Sequence, residues 1–452
     1  MGENMLLAAF LVSLAAIIFS VVKLKLHPFL SLLIGSLLMG FLSGIHPNEI
    51  LEGICAGFGG TMGDVGILIL LGVILGELLH NSGATRNIAG RLLKLFGVAN
   101  TPLAINITGY LICIPVFFDA AFVILIDLMR QLSQKGKIAL NVLVCALAIG
   151  MTMTHAMVIP TPGPVAVAGI VGANIAWFIF YSIIVSLPAS LIGGVLYGKY
   201  LKRHPAWGNA LEDEQQEVPA KAPETAEEEG ASGTTGIFLI LLPIVLIILG
   251  TVLQTVVKES APVYPVIQFC SDTNVILLFT IFLAFFILRR YLTASFNDLT
   301  STAAESVGSI IAIICAGGAF GEVIGMSGLG DYLVESMRSL GIPLIVLAYL
   351  LTQVLRMGLG SITVSLVTTA AVVAPLIAQT GDSPVLVGLA VCAGGVGLCM
   401  PNDSSFWTIN KFSKFSFGET VRVLTVPGTI AGITGFCIIL VLYLFRSVLP
   451  GL

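Results

Sequence analysis

"MVIPTPGPVA", residues 157–166, lies between two long apolar runs, and three of the five residues from Pro160 to Pro164 are proline and one is glycine. Proline inside a helix removes a hydrogen bond and clashes with the preceding turn. A chain that is helical on both sides is therefore broken here on purpose. What that break is for depends on where in the molecule it sits.

The surroundings place it inside a membrane. The 452 residues are 57 % hydrophobic and only 10 % charged, whereas a soluble domain carries about 25 % charged residues. Runs 5–22, 28–44, 138–154, 176–197, 237–256, 274–288 and 424–445 are apolar and about the length of a spanning helix. No ten-residue segments alternate with period two, so a barrel is not expected. The first run has no basic residue before it and Lys23 and Lys25 after it, which does not read as a cleaved leader. Eight cysteines lie mostly in apolar runs without a CxxC pair, and read as small buried residues. Residues 212–229 hold eight acids and one lysine, the composition of a solvated, disordered linker.

That linker divides the chain into a first transmembrane repeat, 1–199, a linker, 200–236, and a second repeat, 237–452. "GELLHNSG" (76–83) matches "GEVIGMSG" (321–328), each followed by an amphipathic stretch ending at Gly97 or Gly341. Next come interrupted apolar segments, "PVFFDAAF" (115–122) and "GLGSITVS" (358–365). A second interruption follows in each half, "PTPGP" (160–164) and "MPNDSS" (400–405).

Lys and Arg in short loops mark the cytoplasmic side. Lys23 and Lys25 follow the first span, whereas the equivalent segment 257–273 has Lys258 against Glu259 and Asp272. Loop 130–137 has three basic residues and its counterpart 379–384 none; Lys411 and Lys414 have no counterpart in 172–176. Equivalent loops thus lie on opposite sides, the signature of an inverted-topology repeat. Both termini are expected outside and the linker in the cytoplasm, with 101–129 and 342–378 as re-entrant hairpins. The expected fold is an all-α integral membrane protein with two inverted repeats, each holding a re-entrant hairpin and a broken transmembrane helix.

Non-helical backbone at membrane depth survives only where protein buries it or water reaches it, and transporters place it at the substrate site. The four interruptions should converge there, with half-helix N-termini offering N–H groups to an anion. The candidate substrate-binding residues are Asp119, His155, Thr161, Gly163, Gly360, Ser361, Thr363, Asn402, Asp403 and Ser404. Each has a plainer reading. His155 could bond across helices, Asp403 could cap a helix, and Arg356 could face an anion or snorkel to the surface. An ionisable residue within a span is a functional candidate by default. For proton coupling Asp119, between Phe117, Phe118 and Phe122, stands first and His155 second; Asp403 follows, then Glu77 and Glu322, for which orienting a helix is an equal reading.

The segments "KLHPFLSLLIGSLLMG" (25–40), "GFGGTMG" (57–63), "THAMVIPTPGP" (154–164), "GSITV" (360–364) and "NDSSFW" (402–407) make the chain resemble the gluconate:proton symporter family of the ion-transporter superfamily. The resemblance covers nearly the whole chain. It implies uptake of gluconate, related sugar acids or other small hydroxylated carboxylates with protons. It also implies a bacterial inner-membrane homodimer with scaffold and transport parts that moves as an elevator. Many members have a second histidine where this chain has Thr161, and Glu where it has Asp119. Both positions are at the presumed site, so D-serine or a glycerate-type hydroxy acid stands beside gluconate; sodium stands beside the proton because backbone carbonyls at broken helices can hold Na⁺. No cofactor, metal or nucleic-acid partner is expected. An enzyme is disfavoured because no HExxH motif occurs and the serines at the breaks lack a patterned histidine partner; a channel is disfavoured by the paired hairpins.

Overall fold

The computed structural model describes residues 3–97, 100–136, 138–203, 230–258, 260–329 and 342–452, which are helical throughout apart from short connections. Eight of the described helices are long and apolar enough to cross a membrane, or nine if 264–270 and 273–288, bent by 59°, form one span. The protein is a multi-pass membrane protein.

The first half runs α1 (Glu3–Val22), α2 (Pro28–Leu42), α3 (Pro47–Asn81), α4 (Ala84–Phe96), α5 (Thr101–Ile112), α6 (Phe118–Gly136), α7 (Leu140–Met157), α8 (Pro162–Ile170), α9 (Ile175–Ser190) and, after one π-helical stretch, α10 (Tyr197–Arg203). The second runs α11 (Gly233–Val256), α12 (Tyr264–Cys270), α13 (Thr273–Leu288), α14 (Phe296–Met326), α15 (Leu344–Leu359), α16 (Ile362–Thr380), α17 (Pro384–Val396), α18 (Ser404–Ser413), α19 (Phe417–Thr420) and, again through a π-helical stretch, α20 (Val426–Leu444). Helix enters the expected linker from both sides, to Arg203 and from Gly233. The acidic run 212–229 lies outside the described residues, as does the stretch ending at Gly341.

The internal repeat is visible in small details. Ser82 and Ser327 end α3 and α14, each hydroxyl donating to a carbonyl three residues back, of Leu79 (3.1 Å) and Ile324 (2.7 Å). The glycine that follows, Gly83 or Gly328, takes the left-handed conformation at φ 74° in both, a helix-ending geometry that costs glycine nothing. Packing repeats as well, with the halves exchanged. The two long helices α3 and α14 cross each other; α2 packs on α14 as α13 packs on α3; α5 packs on α7 as α15 packs on α17. The crossing of α3 and α14 is close because both helices carry glycine there. A Cβ added to Gly57 would lie 2.6 Å from the Gly318 carbonyl oxygen, the small-residue contact expected where lipid offers no hydrophobic drive for association.

These two crossing helices, of 35 and 31 residues, are absent from the apolar runs read in the sequence. The N-terminal half of α3 is rich in glycine and acids, as in "GICAGFGGTMGD" (53–64), and that of α14 in hydroxyls and acids, as in "DLTSTAAES" (298–306), which hides the spans. Segments 101–129 and 342–378 are helix–break–helix units, as expected, broken at 113–117 and 360–361.

Candidate functional site

Each half has two breaks, one between hairpin arms (α5/α6 and α15/α16) and one within a span (α7/α8 and α17/α18). The four are held together by named contacts. Within the first half, Ile114 to Phe117 of the hairpin break and His155, Pro160, Thr161 and Pro162 of the broken span line one narrow cleft with Gly72 and Val73. The α3 glycines seat both breaks: a Cβ at Gly72 would press on the Pro160 carbonyl (3.2 Å), and one at Gly76 would land on the Pro115 carbonyl.

Within the second half, Asn402 Nδ2 donates to the carbonyls of Met357 and Gly358, both at 3.0 Å, and so closes the C-terminal end of α15. Gly360, left-handed at φ 70°, sits against the Asn402 backbone where no side chain fits.

The halves also meet across the junction. Asp119, in the first turn of α6, accepts from Ser404 Oγ (3.3 Å) and Thr408 Oγ1 (2.8 Å) of α18. Reciprocally, Thr363, in the first turn of α16, lies beside Gly163 of α8, its Oγ1 3.7 Å from where a Gly163 Cβ would be. Each hairpin's returning arm thus packs on the second segment of the other half's broken span.

"NDSSFW" resolves residue by residue. Asn402 ties the hairpin and Ser404 reaches Asp119. Asp403 is the N-cap of α18, its Oδ1 accepting from Ser405 N (2.7 Å) and Ser405 Oγ (2.6 Å). Its Oδ2 pairs with Arg356 Nη2 and accepts from Cys399 Sγ at 3.5 Å. Phe406 is fully buried, and Trp407 Nε1 donates to the Pro401 carbonyl at 2.6 Å.

The cap reading of Asp403 holds, and the same carboxylate is buried in an ion pair with Arg356. Arg356 does not snorkel: it is 1 % exposed, and its Nε and Nη1 have no hydrogen-bond partner. Sequence reasoning left Arg356 out of the site, although it is the only basic residue between 342 and 410. Thr408 was missed too; its signal is the i+4 spacing from Ser404, which puts both hydroxyls on one face.

Other residues fall as follows. His155 lines the cleft beside Pro160 and Thr161. Thr161 is buried and its hydroxyl bonds the Val158 carbonyl. Ser361 is the N-cap of α16, accepting from Val364 N at 3.4 Å. Glu77 is half-buried on α3, and Glu322 is exposed on α14 next to Gly57. Neither takes part in the hydrogen bonds or ion pair that join the breaks.

Two expectations change. The phenylalanines do not enclose Asp119: Phe118 and Phe122 are buried and stack on each other, while Asp119 is exposed between two hydroxyl donors. Nor do the half-helix N-termini offer a full set of N–H groups. Pro162 and Pro164 have none, which leaves Gly163 the single N–H donor among the first three residues of α8. At α18 the capping position is already filled by the Asp403 carboxylate.

Residues 5–445 match the GntP family permease model. The inner membrane permease YgbN of Escherichia coli is 32 % identical over 97 % of this chain and 98 % of its own. The gluconate permease of Bacillus subtilis is 31 % identical over 95 % and 97 %, and the L-idonate transporter of the Gnt-II system of E. coli 29 % over 93 % and 95 %. Among solved structures, the YdaH transporter of Alcanivorax borkumensis, described as having an unusual topology, superposes with a TM-score of 0.70 over 93 % of this chain and 99 % of its own, at 16 % identity. That likeness concerns the fold.

Proposed function

The chain belongs to the GntP family of permeases, and we propose that it is a proton-coupled symporter of a small hydroxylated carboxylate, gluconate or a related sugar acid. The observation that carries this reading is the junction itself. Four chain breaks from two halves meet there, and the side chains at the meeting are hydroxyls (Ser361, Thr363, Ser404, Thr408), two acids, a histidine and one arginine. Hydroxyls that both donate and accept suit a polyol chain. Relatives named for gluconate and L-idonate transport support the sugar-acid class.

Charge balance supports cation coupling. Asp119 and Asp403 outnumber Arg356 by one, so the junction is negative before an anion arrives. A second negative charge in a partly desolvated site is costly unless a cation enters with it. Asp119 is the acid we assign to the coupling, because it is the carboxylate that joins the two halves, accepting from Ser404 and Thr408. In this reading the hairpins and broken spans move as one transport body past a dimeric scaffold, in a bacterial inner membrane. The linker is cytoplasmic and both termini are outside.

Purified protein in proteoliposomes should accumulate radiolabelled D-gluconate when the outside is acidified, and should not respond to an imposed sodium gradient. Accumulation driven by sodium alone would replace the proton in this scheme. A preference for D-serine or glycerate over every sugar acid would replace the substrate.

A further inference from the structure

We propose that Arg356 is the anchor for the substrate's carboxylate, with Asp403 holding the guanidinium in place until substrate arrives. The inference rests on the sugar-acid reading above and adds the group that recognises the acid end.

Three observations lead to it. First, an anion at this junction needs a positive partner, and the second segments of the two broken spans supply little: Pro162 and Pro164 of α8 have no N–H, and Asp403 occupies the start of α18. Second, Arg356 is the permanent cation at the breaks, 1 % exposed, one turn before the hairpin tip at Gly360. Third, its bonding is incomplete. A guanidinium has five N–H donors, yet only Nη2 is engaged, by one oxygen of Asp403, while Nε and Nη1 are buried without a partner. Buried polar groups in native proteins are nearly always satisfied, and each exception calls for an explanation. Asp403 is the reverse case, since both its oxygens are fully used, by Ser405 on one side and by Arg356 and Cys399 on the other. It can give up Arg356 and remain bonded as a cap. The pair is therefore unequal: one member is saturated, and the other has donors to spare for a second carboxylate.

The electrostatic setting fits. The groups at Arg356 from the packed elements are Asp403 and, on the same carboxylate oxygen, Cys399 next to α18. A carboxylate bound to Arg356 would place its hydroxylated chain toward the tip residues Ser361 and Thr363.

The test is thermal stabilisation of the purified full chain by D-gluconate, with D-glucitol, the same carbon chain without the carboxylate, as the control. Arg356→Gln alone strands a buried carboxylate and is expected to fold poorly. The paired variant Arg356→Gln/Asp403→Asn keeps the shapes and removes both charges. We expect wild type to respond to gluconate and not to glucitol. The paired variant should retain its own melting transition while losing gluconate affinity by about tenfold or more. Asp403→Asn alone should gain gluconate-induced stabilisation, because substrate becomes the sole carboxylate partner of Arg356. Gluconate binding by the paired variant within twofold of wild type overturns the anchor while leaving the transport reading intact, as does an Asp403→Asn protein that keeps a cooperative melting transition and shows no response to gluconate. A wild type that responds to none of a panel of sugar acids removes the sugar-acid reading and the anchor together.

Discussion

Thr408 Oγ1, in the second half of the chain, donates to Asp119 Oδ1, in the first, at 2.8 Å. Ser404 adds a second donor to the same carboxylate at 3.3 Å. One carboxylate therefore joins the two halves of the chain. Asp119→Asn should abolish uphill uptake driven by a pH gradient while leaving substrate exchange across the membrane largely intact, because exchange needs no net proton movement. An Asn variant that still concentrates substrate under a pH gradient removes Asp119 as the coupling residue.

The hairpin tip of the second half should bind substrate hydroxyls or the carboxylate. Thr363→Val keeps the shape and removes the hydroxyl, and should weaken binding by roughly 1.5–3 kcal/mol if the lost bond was to a charged group. Ser361→Ala should lose both substrate affinity and some stability, since Ser361 also caps α16 and a lost cap costs about 0.5–2 kcal/mol. Measured together by binding and melting, the two variants separate ligand contact from capping. Unchanged affinity in both assigns the tip a purely structural part.

Glycines on one helix should divide by what they face. Gly76→Ala drives a methyl group into the Pro115 carbonyl at the first hairpin break, and overpacking of that kind costs about 1–3 kcal/mol. Gly59→Ala, also on α3, meets nothing within 4 Å and should be neutral or stabilising by up to about 1 kcal/mol through helix propensity. Melting temperatures of the two variants in detergent check the pair; equal losses would mean that the outer face of α3 is covered by a neighbour.

Topology is open to a labelling experiment. A cysteine at Ala220 in the linker should be protected from an impermeant thiol reagent in intact cells. One at Asp382, in the short turn between α16 and α17, should react. Reaction at 220 from outside reverses the orientation proposed above.

Much of this architecture is legible in the sequence because membranes restrict the options. Backbone that cannot be solvated must be helical or stand at a site, so "PTPGP" and "MPNDSS" announce breaks, and matched "GELLHNSG" and "GEVIGMSG" announce the repeat. Their equivalent serine and left-handed glycine endings carry that match into geometry. What was not legible is what depends on distance along the chain. Arg356 and Asp403 are 47 residues apart, and no periodicity connects them. Asp119 and Thr408 are 289 apart. The burial of Phe118 and Phe122 away from Asp119 follows from helix rotation at the start of α6, which three consecutive large residues leave unspecified. The long helices α3 and α14 escaped because glycine and acids in the first half of α3, and hydroxyls and acids in that of α14, lower the apparent hydropathy.

The reciprocal seating of each returning arm on the other half's broken span bears on how such proteins can diversify. Specificity cannot be inherited as a module. A chimaera spliced at residues 204–232 from two relatives with different substrates would pair one parent's Asp119 with the other's Ser404 and Thr408, and one parent's Gly163 with the other's Thr363. Its recognition surface would belong to neither parent. Duplicated halves that began as equivalents are thereby bound to change in step, each substitution on one side altering the selection acting on the other.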